Sequence, residues 1–175
     1  MSISTHLSPE PERRLWIILE SMRLSVEWAD RRTGALTAFA AAELAFVTLA
    51  VPSGPAGFLA LVCLAAALPL GVFAFSPLSG KPQWLPFLEP SKDKHSVDDS
   101  LVSADDLAKY SHSELVHRLD KYLGGGITAT QYHEDIVGQI VINARVATRK
   151  QRLFRMACVL VGLAQLGLLA QVFRR

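Results

Sequence analysis

Apolar residues crowd into three long windows along the 175-residue chain, and charged residues fill the stretches between them. The first window runs from Thr33 to Val51 and is closed by Pro52. The second runs from Pro55 to Phe75 and is closed by Ser76 and Pro77. The third runs from Met156 to Phe173, with Leu153 and Phe154 extending it upstream. A helix of about 20 residues crosses the roughly 30 Å hydrocarbon core of a bilayer. The windows therefore predict transmembrane helices over 33–52, 55–75 and 153–173. Only Pro52-Ser53-Gly54-Pro55 joins the first two, which leaves room for a tight turn and makes them an antiparallel hairpin. Pro69 predicts a kink in the second helix, which membrane helices tolerate. Gln165 and Gln171 interrupt the third window, so the count is two or three spans.

Between the windows the period changes. Leu15, Ile18, Leu19, Met22 and Val26 recur at three- and four-residue spacing, which predicts an amphipathic helix within residues 1–32. Ser8 suits its N-cap and Pro9 its first position. Nothing breaks the pattern before Thr33, so this helix is expected to run straight into the first window. Its apolar stripe needs a partner, either another helix or the headgroup layer. Residues 76–102 hold four prolines and the polar tract SKDKHSVDDS, the composition of a linker. Residues 103–152 then form a small helical region. Ser111-x-x-Glu114 is a capping-box signal for a helix over 112–123, with Leu115, Leu119 and Tyr122 on one face. Gly124 to Gly126 ends it. Thr128-x-x-Gln131 starts a second helix, on which Tyr132, Ile136, Ile140, Ala144 and Ala147 recur, widened by Val137 and Val141. No proline follows Pro90, so this helix is expected to continue through Arg155 into the third window. The fold class is all-α: an integral membrane protein with a small cytosolic helical hairpin.

Charge sets the orientation. Arg13, Arg14, Arg23, Arg31 and Arg32 precede the first window, Lys81, Lys92 and Lys94 follow the second, and Arg145, Arg149, Lys150, Arg152 and Arg155 precede the third. The positive-inside rule places the N-terminus and residues 76–155 in the cytoplasm. Arg174 and Arg175 would then lie outside, a mild breach that disappears if the third window does not span. Charged residues are 19% of the chain, against about 25% in soluble domains. The net charge of +2 argues against a nucleic-acid partner. MSISTHLSPEPERR lacks the basic-then-apolar design of a secretory signal. Cys63 and Cys158 both fall in apolar windows and read as small packing residues rather than a disulfide.

Candidate chemistry is sparse. Glu43 sits in the middle of the first window, where an ionisable side chain costs about 2.5–3.5 kcal/mol on insertion scales. Glu43 then reads either as a hydrogen-bonded tie between helices or as a contact that changes on oligomerisation or lines a pore. Gln165, also in mid-window, is its candidate partner, and Gln171, nearer the far interface, a weaker one. Small residues at Gly34, Ala38 and Ala42, and at Ala41 and Ala45, recur every fourth position and favour close helix approach. The basic residues Arg145, Arg149, Lys150 and Arg152 read either as an anchor on anionic lipid or as a site for a ligand phosphate. His112 and His117 have the wrong spacing for a shared zinc on a helix, and no Cys/His cluster exists. The triple glycine lacks the strand and Lys-Ser/Thr of a phosphate loop. No metal, no cofactor and no catalytic set is expected.

Two segments together resemble a known family. Glu27 to Ala45, EWADRRTGALTAFAAAELA, resembles the entrance of the first membrane helix in the Pycsar effector membrane proteins. Asp135 to Leu160 resembles their closing segment. There a helix of form Q-I-x-x-N-A-x-x-A-x-x-K-x-x-L leads into a final apolar helix, and Gln139, Ile140, Asn143, Ala144, Ala147, Lys150 and Leu153 supply those positions. The order of leading helix, membrane hairpin, cytosolic part and terminal apolar helix matches as well; the linker from Ser76 to Ser103 does not. The resemblance implies a non-enzymatic anti-phage effector of the cell inner membrane. A partner pyrimidine cyclase, uridylate or cytidylate, makes cyclic CMP or cyclic UMP during infection. The effector, a homo-oligomer in the bilayer, binds the nucleotide, impairs the membrane and kills the cell. Two other readings stay open: a holin-like pore former triggered by concentration alone, and a membrane scaffold that recruits a cytosolic partner through residues 111–148.

Overall fold

A computed structural model describes residues 9–50, 54–76, 99–123 and 131–173. It places helices at α1 (Pro9–Ala50), α2 (Pro55–Ala74), α3 (Ala104–Leu107), α4 (His112–Leu123) and α5 (Gln131–Val172). Every regular element among the described residues is a helix, so the class is all-α. The Ser8 cap, Pro52 and Ser53 of the turn, linker residues 77–98, the triple glycine, the Thr128 cap and the final two arginines lie outside the described residues.

The amphipathic stretch and the first apolar window form one helix, α1. Pro9 and Pro11 both lie in its first turn, where the backbone N–H has no intrahelical partner to lose. α5 is continuous in the same way, carrying the soluble stripe and the third window through Arg155 without a break. α2 begins with Gly54 in the left-handed region at φ 97° and Pro55 at its first position, and it runs through Pro69.

The chain divides into two compact units: residues 1–27 with 81–149, and residues 28–80 with 150–175. The first has the core of a soluble domain. Leu15, Ile18, Leu19 and Met22 of α1 pack in one cluster with Leu115, Val116 and Leu119 of α4 and with Ile136, Val137, Ile140, Val141 and Ala144 of α5. The partner of the α1 stripe is thus other helices. α3, with Leu107, Ala108 and Tyr110, completes the cluster; its single turn has no apolar period to read. Tyr122 and Tyr132, expected on the buried stripes, are exposed instead. Each sits at one end of its helix, beyond the layer that the neighbouring helices cover.

The second unit has the opposite construction. Its buried cluster is mostly small: Ala40, Ala60, Cys63, Ala67 and Ala164, filled out by Val47, Leu64 and Val161. Gly57 and Gly71 of α2 are buried with them. The large apolar residues face outward, with Leu49 83% and Phe46 76% exposed, and Phe39, Phe58, Val72 and Leu166 on the surface too. In water each such side chain forfeits about 1.5–3 kcal/mol of burial. In lipid it forfeits nothing, and small residues inside let helix backbones approach closely. A Cβ on Gly71 would collide with Oγ1 of Thr37, and one on Gly167 would lie 2.9 Å from the Ala56 carbonyl oxygen. α2 and the apolar half of α5 are long and apolar enough to cross a bilayer. The second unit is the membrane part of a membrane protein.

Hydroxyl groups there return to their own helix. Thr33 donates to the Ala29 carbonyl at 2.8 Å, Thr37 to Thr33 at 2.8 Å and Thr48 to Ala45 at 2.8 Å. A polar group without water needs such an internal acceptor.

Candidate functional site

Glu43 is reached from α5. Gln165 donates its side-chain N–H to Oε1 of Glu43, so the two mid-window polar residues meet inside the second unit. Oε2 of Glu43 is buried and has no hydrogen-bond partner. Gln171, six residues further along α5, is half-buried. The pair joins the first and third apolar windows through one hydrogen bond, with one acceptor left over.

The basic segment is divided between the units. In the first, Arg145 donates to the Tyr110 carbonyl at 2.9 Å, and Arg149 is buried. In the second, Lys150 is buried and donates to Oδ1 of Asp30 at 2.5 Å. Arg152 is half-buried. Arg145 therefore ties α5 to the turn between α3 and α4 through a backbone carbonyl, and Lys150 ties α5 to α1 through an ion pair. A buried ammonium requires such a partner. The Asp30 carboxylate was not singled out by the sequence; opposite charges 120 positions apart give no local signal.

Sequence reasoning also missed a polar cluster in the first unit. Tyr110 donates its hydroxyl to Oδ2 of Asp99 at 2.7 Å, and Arg118 donates to the Asp99 carbonyl at 2.9 Å. The Arg118 guanidinium lies over the Tyr110 ring at 4.9 Å and the Tyr122 ring at 5.5 Å. Lys109 pairs with Asp106 at 2.9 Å and with Asp99 at 3.5 Å. The hydrogen bond from Lys109 holds the Asp106 carboxyl below its usual range, and that bond raises the Lys109 ammonium above its own. Tyr110, Arg118 and Lys109 together hold Asp99 beside α3 and α4.

The predicted capping box is formed. Ser111 N–H donates to Oε2 of Glu114 at 2.8 Å, its hydroxyl donates to the same oxygen at 2.6 Å, and Glu114 N–H reaches back to Ser111 Oγ at 3.4 Å. His112, just inside the cap, bonds through Nε2 to the Glu134 carbonyl at 2.9 Å. A carbonyl only accepts, so this nitrogen carries the proton. Among the described residues no three His, Cys, Asp or Glu side chains gather as a metal site would require.

Across residues 14–173 the chain matches the family of the Pycsar effector protein domain. No curated protein and no solved structure matches it.

Proposed function

We propose that this chain, which belongs to the Pycsar effector family, senses cyclic CMP or cyclic UMP and impairs the inner membrane in response. The family gives it the role of an anti-phage effector. The nucleotide comes from a partner pyrimidine cyclase active during infection, and the outcome is death of the cell before phage matures. The chain acts without catalysis, as a homo-oligomer in the bilayer, with its N-terminus and residues 76–155 in the cytoplasm.

The observation that carries the reading is the family match over nearly the whole chain, joined to a unit whose large apolar residues face outward. Orientation is supported by charge. In the described part of the second unit, all five basic residues, Arg31, Arg32, Lys150, Arg152 and Arg155, fall within 31–32 and 150–155. The ion pair of Lys150 with Asp30 sets these two segments at one level, and that level is the cytoplasmic one by the positive-inside rule.

A ligand moves an equilibrium only by its difference in affinity for the two states. The nucleotide therefore binds one assembly state better than the other. Its phosphate is met by guanidinium groups of the basic segment that contains Arg145, Arg149, Lys150 and Arg152, since Arg forks match phosphate oxygens. α5 is a single helix from that segment to Val172, which supports its role in carrying the change. Gly71 and Gly167 leave no room for a Cβ, so the helix contacts there are the ones most sensitive to a change of packing.

Regulated expression tests this. With the cyclase co-expressed, or cyclic pyrimidine nucleotide supplied, cells lose membrane potential; without either they grow. A holin-like pore former kills without the cyclase. Growth arrest by the effector alone at low expression contradicts the proposal.

A further inference from the structure

We propose that α1 carries, on the side turned away from its own chain, a seam that pairs with α1 of a second copy. In the first unit Ile17, Ser21 and Leu24 stand four and then three residues apart. The same alternation continues in the second unit from Trp28 and Arg31 through Ala35, Ala38, Ala42 and Ala45 to Leu49. That is the seven-residue period of helices wound about each other. Every one of these positions but Ser21 is exposed. α1 already uses the period once: Thr33, Ala40 and Val47, on roughly the opposite side of the helix, are buried within the chain.

The chemistry of the seam changes along its length, and that selects the occupant. Ile17 and Leu24 belong to a unit with the core of a soluble domain, where lipid does not cover them, and burying each gains about 1.5–3 kcal/mol. The four alanines belong to the membrane part, where small residues bring helices together and residues such as Phe39 and Phe46 face lipid. A cytosolic partner covers the first stretch alone, and lipid suits the second alone. Another α1 matches both, large side chains against large ones outside the bilayer and alanine against alanine within it. Copies inserted the same way lie parallel, and a two-fold pair sets each seam position beside its own mate. Glu27 and Arg32 flank the seam on its two sides, placed to bring opposite charges together across parallel helices. Glu27 is already engaged within its own chain. A carboxylate accepts at two oxygens, so the contact across the pair adds to the first. Arg31 is the charged seam position. Its guanidinium lies 5.9 Å from its own Trp28 ring, and its long stem lets the charge leave the seam.

The seam supplies the contact surface of the homo-oligomer proposed above; it rests on the membrane reading of the second unit and not on nucleotide sensing. Cross-linking of the full chain in vesicles, without nucleotide, tests it. Cys63→Ala with Cys158→Ala removes the native thiols. Leu24→Cys, Ala38→Cys or Ala42→Cys then places one thiol on the seam. Ala41→Cys or Thr48→Cys places it at an exposed position to one side. Oxidation with copper phenanthroline is expected to join two chains at each seam position at least about tenfold faster than at either control, because a disulfide needs Cα atoms within roughly 7 Å. Equal rates at seam and control positions, the result if lipid alone covers this face, overturn the proposal. So does an excess at Ala38 and Ala42 with none at Leu24, or one that falls in proportion as added lipid dilutes the chain, the mark of chance collision. A chain that cross-links along the seam and ignores cyclic nucleotide upholds this inference and sinks only the sensing proposal.

Discussion

Gln165 of α5 donates a hydrogen bond to Oε1 of Glu43 of α1, and Oε2 of the same carboxyl group is buried with no partner. A polar pair in a lipid environment is a tie between helices. The idle oxygen makes it an incomplete one. If the group acts as a neutral hydrogen-bonding side chain, Glu43→Gln keeps most protection against phage and Glu43→Ala loses it, both inserting normally. Plaque counts with membrane fractionation check this. Replacing the pair together, Glu43→Leu with Gln165→Leu, is expected to melt no lower than the native chain, because no polar atom is left unpaired. Gln165→Leu alone is expected to cost about 1–3 kcal/mol.

Lys150 is buried against a partner that is partly wet. The Asp30 side chain is 34% exposed, so losing it costs less than the roughly 3–5 kcal/mol of a fully buried pair. Asp30→Ala is expected to lower stability by about 1–3 kcal/mol. Asp30→Lys with Lys150→Asp should recover part of the loss seen in Asp30→Lys alone. Thermal unfolding in detergent gives both values.

Much of this was legible in the sequence. The stripe Leu15, Ile18, Leu19, Met22 lies in the first core because a helical period longer than two turns admits few other readings. The continuity of α1 and α5 followed from the absence of proline where each apolar window begins. Glu43 and Gln165 were matched by depth in their windows. What was not legible depends on tertiary placement. α3 is one turn and has no period. The Asp99 cluster joins residues across a loop, and the Lys150–Asp30 pair joins residues on different helices. The exposure of Tyr122 and Tyr132 depends on how far the neighbouring helices reach, which no local pattern encodes.

The close approach of α1 and α2 rests on Gly71. A Cβ there would collide with Oγ1 of Thr37 and would meet its Cβ and Cγ2 at 3.1 Å. Gly71→Ala is expected to destabilise by about 1–3 kcal/mol through overpacking. Thr37→Ala removes the nearest atoms, so the double variant should recover most of that loss. A double-mutant cycle measures the coupling.

The Asp106 carboxyl is held below its usual range, chiefly by Lys109. Its unfolded value is about 3.9. A lowered folded value stabilises above the unfolded one and stops doing so as pH falls through the folded one. Stability from this pair is therefore expected to be level from neutral pH down to about pH 4 and to fall below it. With its side chain 26% exposed, the effect is small and screened by salt. Asp106→Asn should remove the acid-side difference from melting curves of the full chain and leave the neutral region shifted by a constant.

Dye release from sealed liposomes containing the purified chain tests the central claim most directly. Adding cyclic CMP or cyclic UMP is expected to release the dye within minutes, while cyclic AMP and cyclic GMP release none. Liposomes that stay sealed with either pyrimidine nucleotide, from a preparation that still protects cells beside its cyclase, would contradict direct gating by the ligand.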